Sequence, residues 1–171
     1  GDDAGARRAV FCVNVEAEKI IAQLGLAPLS HAGGFFRQTW RSAAGSAIYF
    51  LLTPEDFSAL HRLRTDEVWH FHAGDALEQV QLDPRNGALR RIVLGNRVLA
   101  GEQPQLVAPA GVWQGTRLAP DLPGDRPPAG WALVSCTLAP AWDERDFELG
   151  AREALLRDFP AHAPVIRALT R

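Results

Sequence analysis

The sequence predicts an all-β fold, a single barrel or sandwich of short strands with helices only near its two ends. Three observations carry this. About eight short apolar or alternating stretches recur at fairly regular spacing. Turn signals built on proline, glycine and Asn-Gly separate them. The strand–helix alternation of a parallel α/β sheet is missing.

Taken in order, Asn14 to Leu24 reads as a helix, because Ala17, Ile20, Ile21 and Leu24 share one face. Asn14 suits its N-cap and Gly25 its left-handed stop. Gly33-Gly34 permits a sharp bend or a close backbone approach, and Phe35 to Trp40 alternates as a strand with two useful faces. Ser46 to Leu52, SAIYFLL, is the clearest apolar strand, broken by Thr53-Pro54. Pro54 to Leu60 reads as one helical turn or the lead into a strand. Glu67 to His72 is strand-like, with Glu67, Trp69 and Phe71 on one side and Val68, His70 and His72 on the other. Leu77 to Leu82 and Leu89 to Leu94 flank Asp83-Pro84-Arg85-Asn86-Gly87, a hairpin turn. Leu106 to Ala108 and Val112 to Leu118 flank Pro109-Ala110-Gly111, and Trp131 to Leu138 is the last strand. The proline-rich segment from Ala119 to Gly130 reads as a long loop. Asp143 to Leu149 is acidic, a solvated turn or a cap for the helix that follows through Ala154, Leu155 and Phe159. Pro160 stops that helix, and Pro164 to Leu169 adds one more turn.

Composition narrows the class. The 171 residues suffice for one well-cored domain spanning 1–171, with a core over about 16–149, and 47% of them are hydrophobic. A formal charge of −2 gives no reason to expect nucleic acid or an anionic membrane surface as a partner. No run of apolar residues is long enough to span a bilayer, and the first ten residues lack a signal-peptide core. With no methionine in the chain, its start reads as a processed end. Cys12 and Cys136, 124 positions apart, form neither a disulfide framework nor a zinc-ribbon spacing, so a cytoplasmic location is expected.

Chemistry concentrates between Ala59 and Gly74, where sixteen residues hold three of the five histidines, an Asp–Glu pair and a tryptophan. His61 precedes Glu67 by six positions and Gly74 follows Glu67 by seven; Pro109-x-Gly111 is followed three positions on by Gln114. This spacing resembles the two-part signature of the cupin superfamily, His-x-His, three or four residues, Glu, six residues, Gly, then Pro-x-Gly, two residues, His. In many cupins those histidines and the glutamate hold a divalent metal. Carried onto this chain, the first His is His61 and the Glu is Glu67, but Leu63 and Gln114 stand where the other two histidines would be. The segments GGFFRQTWRS, SAIYFLL, FSALHRLRTDEVWHFHAGD, PQLVAPAGVWQ and VSCTLAPAWDERDFEL together look like one small cupin subfamily long catalogued as a domain of unknown function. The resemblance implies a double-stranded β-helix (jelly-roll) with a small-molecule pocket in the barrel and a homodimer. It implies no particular reaction.

Three functional readings stand beside it. The first is isomerase- or epimerase-like acid–base chemistry on a polar, sugar-like or carboxylated substrate. His61 would be the base, Glu67 its orienting or ligand-binding partner and Tyr49, the only tyrosine, the acid across the pocket. Arg37 and Gln114 would position the substrate, Trp69, Phe71 and Trp113 would wall it, and Cys136 would join them in binding it, or act as a nucleophile given a base nearby and a lowered pKa. The second is a metal-dependent oxygenase or lyase with His61, Glu67 and Gln114 as ligands; His70 and His72 fall on the wrong strand face to help. The third is a binding module without catalysis. Each residue also has a plainer reading: Tyr49 packed in the core, Arg37 in a salt bridge to Asp66, Glu67 or Asp146, the aromatic side chains as barrel filling and Cys136 as an inert buried thiol. His31 and His162 read as surface residues.

Overall fold

The computed structural model describes residues 14–121 and 127–171. Cys12 and the middle of the proline-rich loop lie outside them. Two antiparallel sheets face each other. The first runs, in spatial order, β1 (Ala27–Pro28), β2 (Phe35–Arg41), β3 (Ser46–Leu52), β10 (Ala132–Leu138), β5 (Glu67–Gly74) and β8 (Gln105–Ala108). The second runs β11 (Glu148–Leu149), β4 (Ser58–Arg62), β9 (Trp113–Leu118), β6 (Leu77–Leu82) and β7 (Leu89–Leu94). From β3 to β6 and again from β7 to β11 consecutive strands alternate between the sheets, so the inner faces enclose one core. The architecture is the jelly-roll that the sequence predicts.

Three hydrophobic clusters follow from the period-2 alternation of these strands. Between the sheets lie Phe50, Leu52, Trp69, Leu77, Ile92, Leu94, Val134 and Cys136. Outside the first sheet, helix α1 (Val15–Leu24) lays Ala17, Ile20, Ile21 and Leu24 on Leu51, Trp131 and Leu133. Asn14 caps it, its side chain accepting from the Ala17 N–H at 3.0 Å, and Gly25 ends it at φ 64°. Outside the second sheet, α2 (Arg152–Asp158) and α3 (Ala163–Ala168) set Leu155, Phe159, Val165, Ile166 and Leu169 against Leu60, Val80, Leu82 and Trp113. Each such fully buried aliphatic side chain contributes about 1.5–3 kcal/mol over its exposed state. Helix α1 explains why β3 carries apolar residues on both faces.

Local details mostly follow the sequence. Gly33 and Gly34 take φ of 93° and 83°, and a Cβ at either would collide, with the Phe57 carbonyl or with the Phe50 and Leu52 side chains. They turn the chain into β2 at the rim of the barrel. Pro54 to Leu60 becomes the lead into β4 rather than a helical turn. The acidic segment forms a 3₁₀ turn, Glu144–Asp146, capped by Asp143 and paired through Asp143 and Arg145 at 2.6 Å. It does not cap α2, whose N-cap is Ala151. No helix among the described residues is long and apolar enough to cross a membrane.

Candidate functional site

The inner faces of β2, β3, β4, β5 and β10 line an open-mouthed cavity of about 620 Å³, a size that suits a small organic ligand. Phe36, Ile48, Phe50, Trp69 and Leu138 give apolar walls; Ser46, Ser58, His61, Glu67 and Cys136 place polar atoms among them.

His61 comes inward from β4, where its register partner on β9 is Gln114. Its Nδ1 lies 2.7 Å from the Ala59 carbonyl oxygen. A carbonyl only accepts, so Nδ1 carries the proton and Nε2 holds a free lone pair. No buried polar side-chain atom among the described residues lacks a partner. Nε2, which has none, is therefore open to the cavity. Burial lowers the pKa of His61 and so favours the neutral ring, against the bond to Ala59, which raises it. The Phe147 ring stacks on it at 5.3 Å.

Glu67 starts β5 and is buried. Its Oε2 accepts from Gln114 Nε2 at 2.9 Å and Trp69 Nε1 at 3.2 Å; Oε1 accepts from neither and, by the same reasoning, opens on the cavity. Desolvation raises its pKa from 4.5 to about 7, against the two hydrogen bonds, which favour the anion. Glu67 is thus poised to give or take a proton near neutrality.

Behind Glu67 runs a chain of buried amides. Gln114 Oε1 accepts from Trp69 Nε1 at 3.1 Å and Gln79 Nε2 at 3.4 Å. Gln79 also donates to Thr116 Oγ1 at 3.2 Å and accepts from Gln81 at 2.8 Å. Gln81 reaches the Val107 carbonyl at 3.0 Å. These donors fix which end of the Gln114 amide faces Glu67.

Several expected site residues sit elsewhere. Tyr49 and Arg37 point out of the first sheet, because the inward positions of β3 and β2 are Ser46, Ile48, Phe50 and Phe36, Gln38. There the Arg37 guanidinium lies 5.6 Å from the Tyr49 ring, with none of the salt bridges expected of it. Neither residue reaches the cavity, so neither can act across it. Trp113 faces the C-terminal helices, with Arg62 4.5 Å over its ring. Phe71 points inward but packs in the core beyond the cavity. Gln114 backs Glu67 without lining the cavity. Cys136 does line it, and burial and then Glu67 push its thiol pKa up, so it stays protonated. His70 and His72 lie on the outer face, as parity predicts, at 3.3 Å from the Thr137 hydroxyl and 2.6 Å from that of Ser135.

The donor set does not fit a metal centre of the usual cupin kind. Leu63 offers no ligating atom, and the Gln114 carbonyl oxygen is committed to Trp69 and Gln79. No group of three His, Cys, Asp or Glu among the described residues is placed to share an ion.

Sequence reasoning missed the segment from Trp142 to Leu149. Trp142, Glu144, Phe147 and Leu149 form the mouth opposite His31. Trp142 and Phe147 lie 5.5 Å apart, and His31 lies 6.5 Å from Phe147. The available signal was two aromatic residues flanking an acidic turn.

A jelly-roll closed around such a pocket defines a cupin. The chain belongs to the Cupin_5 family of the cupin superfamily (DUF985), whose sequence profile matches residues 18–150. A hypothetical protein from Leishmania major is 37% identical, with a TM-score of 0.82 over 90% of this chain and 98% of its own. A Shewanella oneidensis protein is also 37% identical, with a TM-score of 0.81 over 91% and 97%. A mutant of oxalate decarboxylase from Bacillus subtilis shares the fold alone, at 13% identity and TM-score 0.52 over 84% of this chain and 39% of its own. No protein of curated function matches the sequence.

Proposed function

We propose that the cavity is an active site for acid–base chemistry of the isomerase or epimerase type. His61 is the base and Glu67 the acid. The observation that carries this is the pairing of a neutral imidazole, its Nε2 lone pair open to the cavity, with a carboxyl group held near neutrality that lines the same cavity from the facing sheet. Nε2 would take a proton from a carbon next to a carbonyl while protonated Glu67 gives its proton to the carbonyl oxygen, forming an enol. Return of the proton to the other face, or to the neighbouring carbon, gives the epimer or isomer and restores both groups. Cys136 stays a neutral thiol and takes no part. No arginine or lysine among the described residues lines the cavity, which disfavours a carboxylated or phosphorylated substrate.

The test is solvent exchange. The protein is incubated in D₂O with a panel of α-hydroxyaldehydes, α-hydroxyketones and aminoketones, and loss of the α-proton is followed by NMR. The expected result is catalysed exchange on at least one compound, lost in His61→Ala and reduced by about 10²-fold or more in Glu67→Gln. Absence of exchange from every compound, or exchange retained by His61→Ala, overturns the reading in favour of binding without catalysis.

A further inference from the structure

We propose that the ligand of this cavity is an organic cation, a protonated or quaternary amine on an apolar body, with its charged end held at the mouth. The inference rests on the cavity being the binding site argued above.

Among the described residues, Glu144 is the charged side chain that lines the mouth. The Glu144 side chain lines it and makes no hydrogen bond or ion pair with any described residue. No described arginine or lysine lines the cavity, and Arg145 and Arg41 have partners of their own. Arg145 holds Asp143 through Nε and Nη2, and Arg41 donates to the Trp142 carbonyl at 2.8 Å. Aromatic faces adjoin that carboxylate. Phe147, which stacks on the His61 ring at 5.3 Å on the cavity side, meets Trp142 at 54° with centroids 5.5 Å apart. The His31 ring stands 6.5 Å from Phe147. Ring faces attract a desolvated cation, and a free carboxylate beside them repels anions by the same field. Farther in, Glu67 adds no positive charge, and Ile48, Phe50 and Leu138 accept apolar surface.

The experiment titrates the intact protein with three probes of similar size: benzyltrimethylammonium, benzyl alcohol and phenylacetate. Binding is read from the indole N–H signals of Trp69, at the cavity floor, and Trp142, at its mouth. Benzyltrimethylammonium is expected to move both signals and to bind about tenfold or more tightly than the other two. Glu144→Gln, an exposed change that leaves the walls in place, should remove most of that preference. Should benzyl alcohol or phenylacetate bind as well as the cation, or Glu144→Gln leave the preference intact, the cation inference falls while the cavity remains a binding site. Should no probe move the Trp69 signal, both the inference and the reading beneath it fall.

Discussion

Gln114 Nε2 donates to Glu67 Oε2 over 2.9 Å, and the same Gln114 amide takes hydrogen bonds from Trp69 and Gln79 on its oxygen. The glutamine thus stands between the buried carboxyl group and the rest of the barrel's polar interior. Replacing it with leucine removes one of the two donors to Glu67 and leaves one Gln79 N–H without its acceptor, though Gln79 keeps Thr116 and Gln81. Glu67 should then titrate above its value of about 7, because burial would act against fewer compensating bonds. Stability should fall by about 1–3 kcal/mol for the donor left unpaired. Carboxyl-carbon NMR titration and urea unfolding check the two parts separately. An unchanged Glu67 titration would mean that this hydrogen bond does not govern it.

Glu67 also gives the fold a specific pH dependence. Its folded pKa of about 7 lies above the 4.5 of an unperturbed carboxyl. The folded state therefore binds the proton more tightly than the unfolded chain. The stability this contributes is fully present below pH 4.5, is lost as pH rises from 4.5 to 7, and stays absent above. Burial lowers the pKa of His61, which acts in the opposite sense, removing stability as the pH falls below its unfolded value. Comparison with Glu67→Gln isolates the carboxyl, since both proteins keep His61. Across that window wild type should lose about 3 kcal/mol relative to the variant. Parallel stability curves from pH 4 to 8 would contradict the shift.

Much of the fold was legible because strands carry their burial in a period of two. Ser46 to Leu52, Leu77 to Leu82 and Leu89 to Leu94 have the boundaries that their patterns predict, and the parity of β5 separates Glu67 and Trp69 from His70 and His72. Parity fails where both faces are covered. SAIYFLL is apolar throughout because α1 packs on one side and the barrel core on the other. Nothing in the strand itself says that Tyr49 faces out. In β6 the same effect hides Gln79 and Gln81: their side of the strand faces the core, while Val80 and Leu82 meet the C-terminal helices. The mouth is harder still. Phe147 reaches His61 across 86 positions of sequence, from a turn with no periodicity.

Tyr49 gives a direct test of the inside–outside assignment. Its ring meets His72 edge-on at 6.4 Å and lies under Arg37, on the outer face. Its hydroxyl makes no hydrogen bond to a described residue. Tyr49→Phe should change stability by less than about 0.5 kcal/mol and leave both proton exchange and probe binding in the cavity unchanged. A loss of exchange comparable to that of His61→Ala would place the tyrosine back in the site.

Cys136 reports on the closure of the barrel around Glu67. Its thiol is buried and held protonated, whereas only the thiolate is reactive. In a Cys12→Ser background, the folded protein at pH 8 should resist iodoacetamide for as long as it stays folded. It should be alkylated rapidly once denaturant is added. Prompt alkylation without denaturant, before any loss of fold, would show that the thiol ionises in the folded protein.

Arg171 ties the C-terminal helices to the mouth. Its guanidinium donates to the Ala32 carbonyl at 2.9 Å and the Phe57 carbonyl at 2.9 Å, and covers the Phe57 ring at 4.0 Å. The segment it holds carries Leu29, His31 and Ala32 into the cavity wall and turns through Gly33 against Phe57. Arg171→Ala removes two charge-assisted hydrogen bonds and a cation–ring contact, a loss of about 1–3 kcal/mol. Because α2 and α3 pack mainly through Leu155, Phe159 and Ile166, the loss should be local. The Gly33 N–H, bonded to Leu29, and the Ala59 N–H, bonded to Ala32, should exchange with solvent faster by about tenfold or more, while amides of β6 and β9 keep their protection. Probe affinity should fall with them, because His31 would no longer be held opposite Phe147. Uniform loss of protection across both sheets would instead make Arg171 a support of the whole fold.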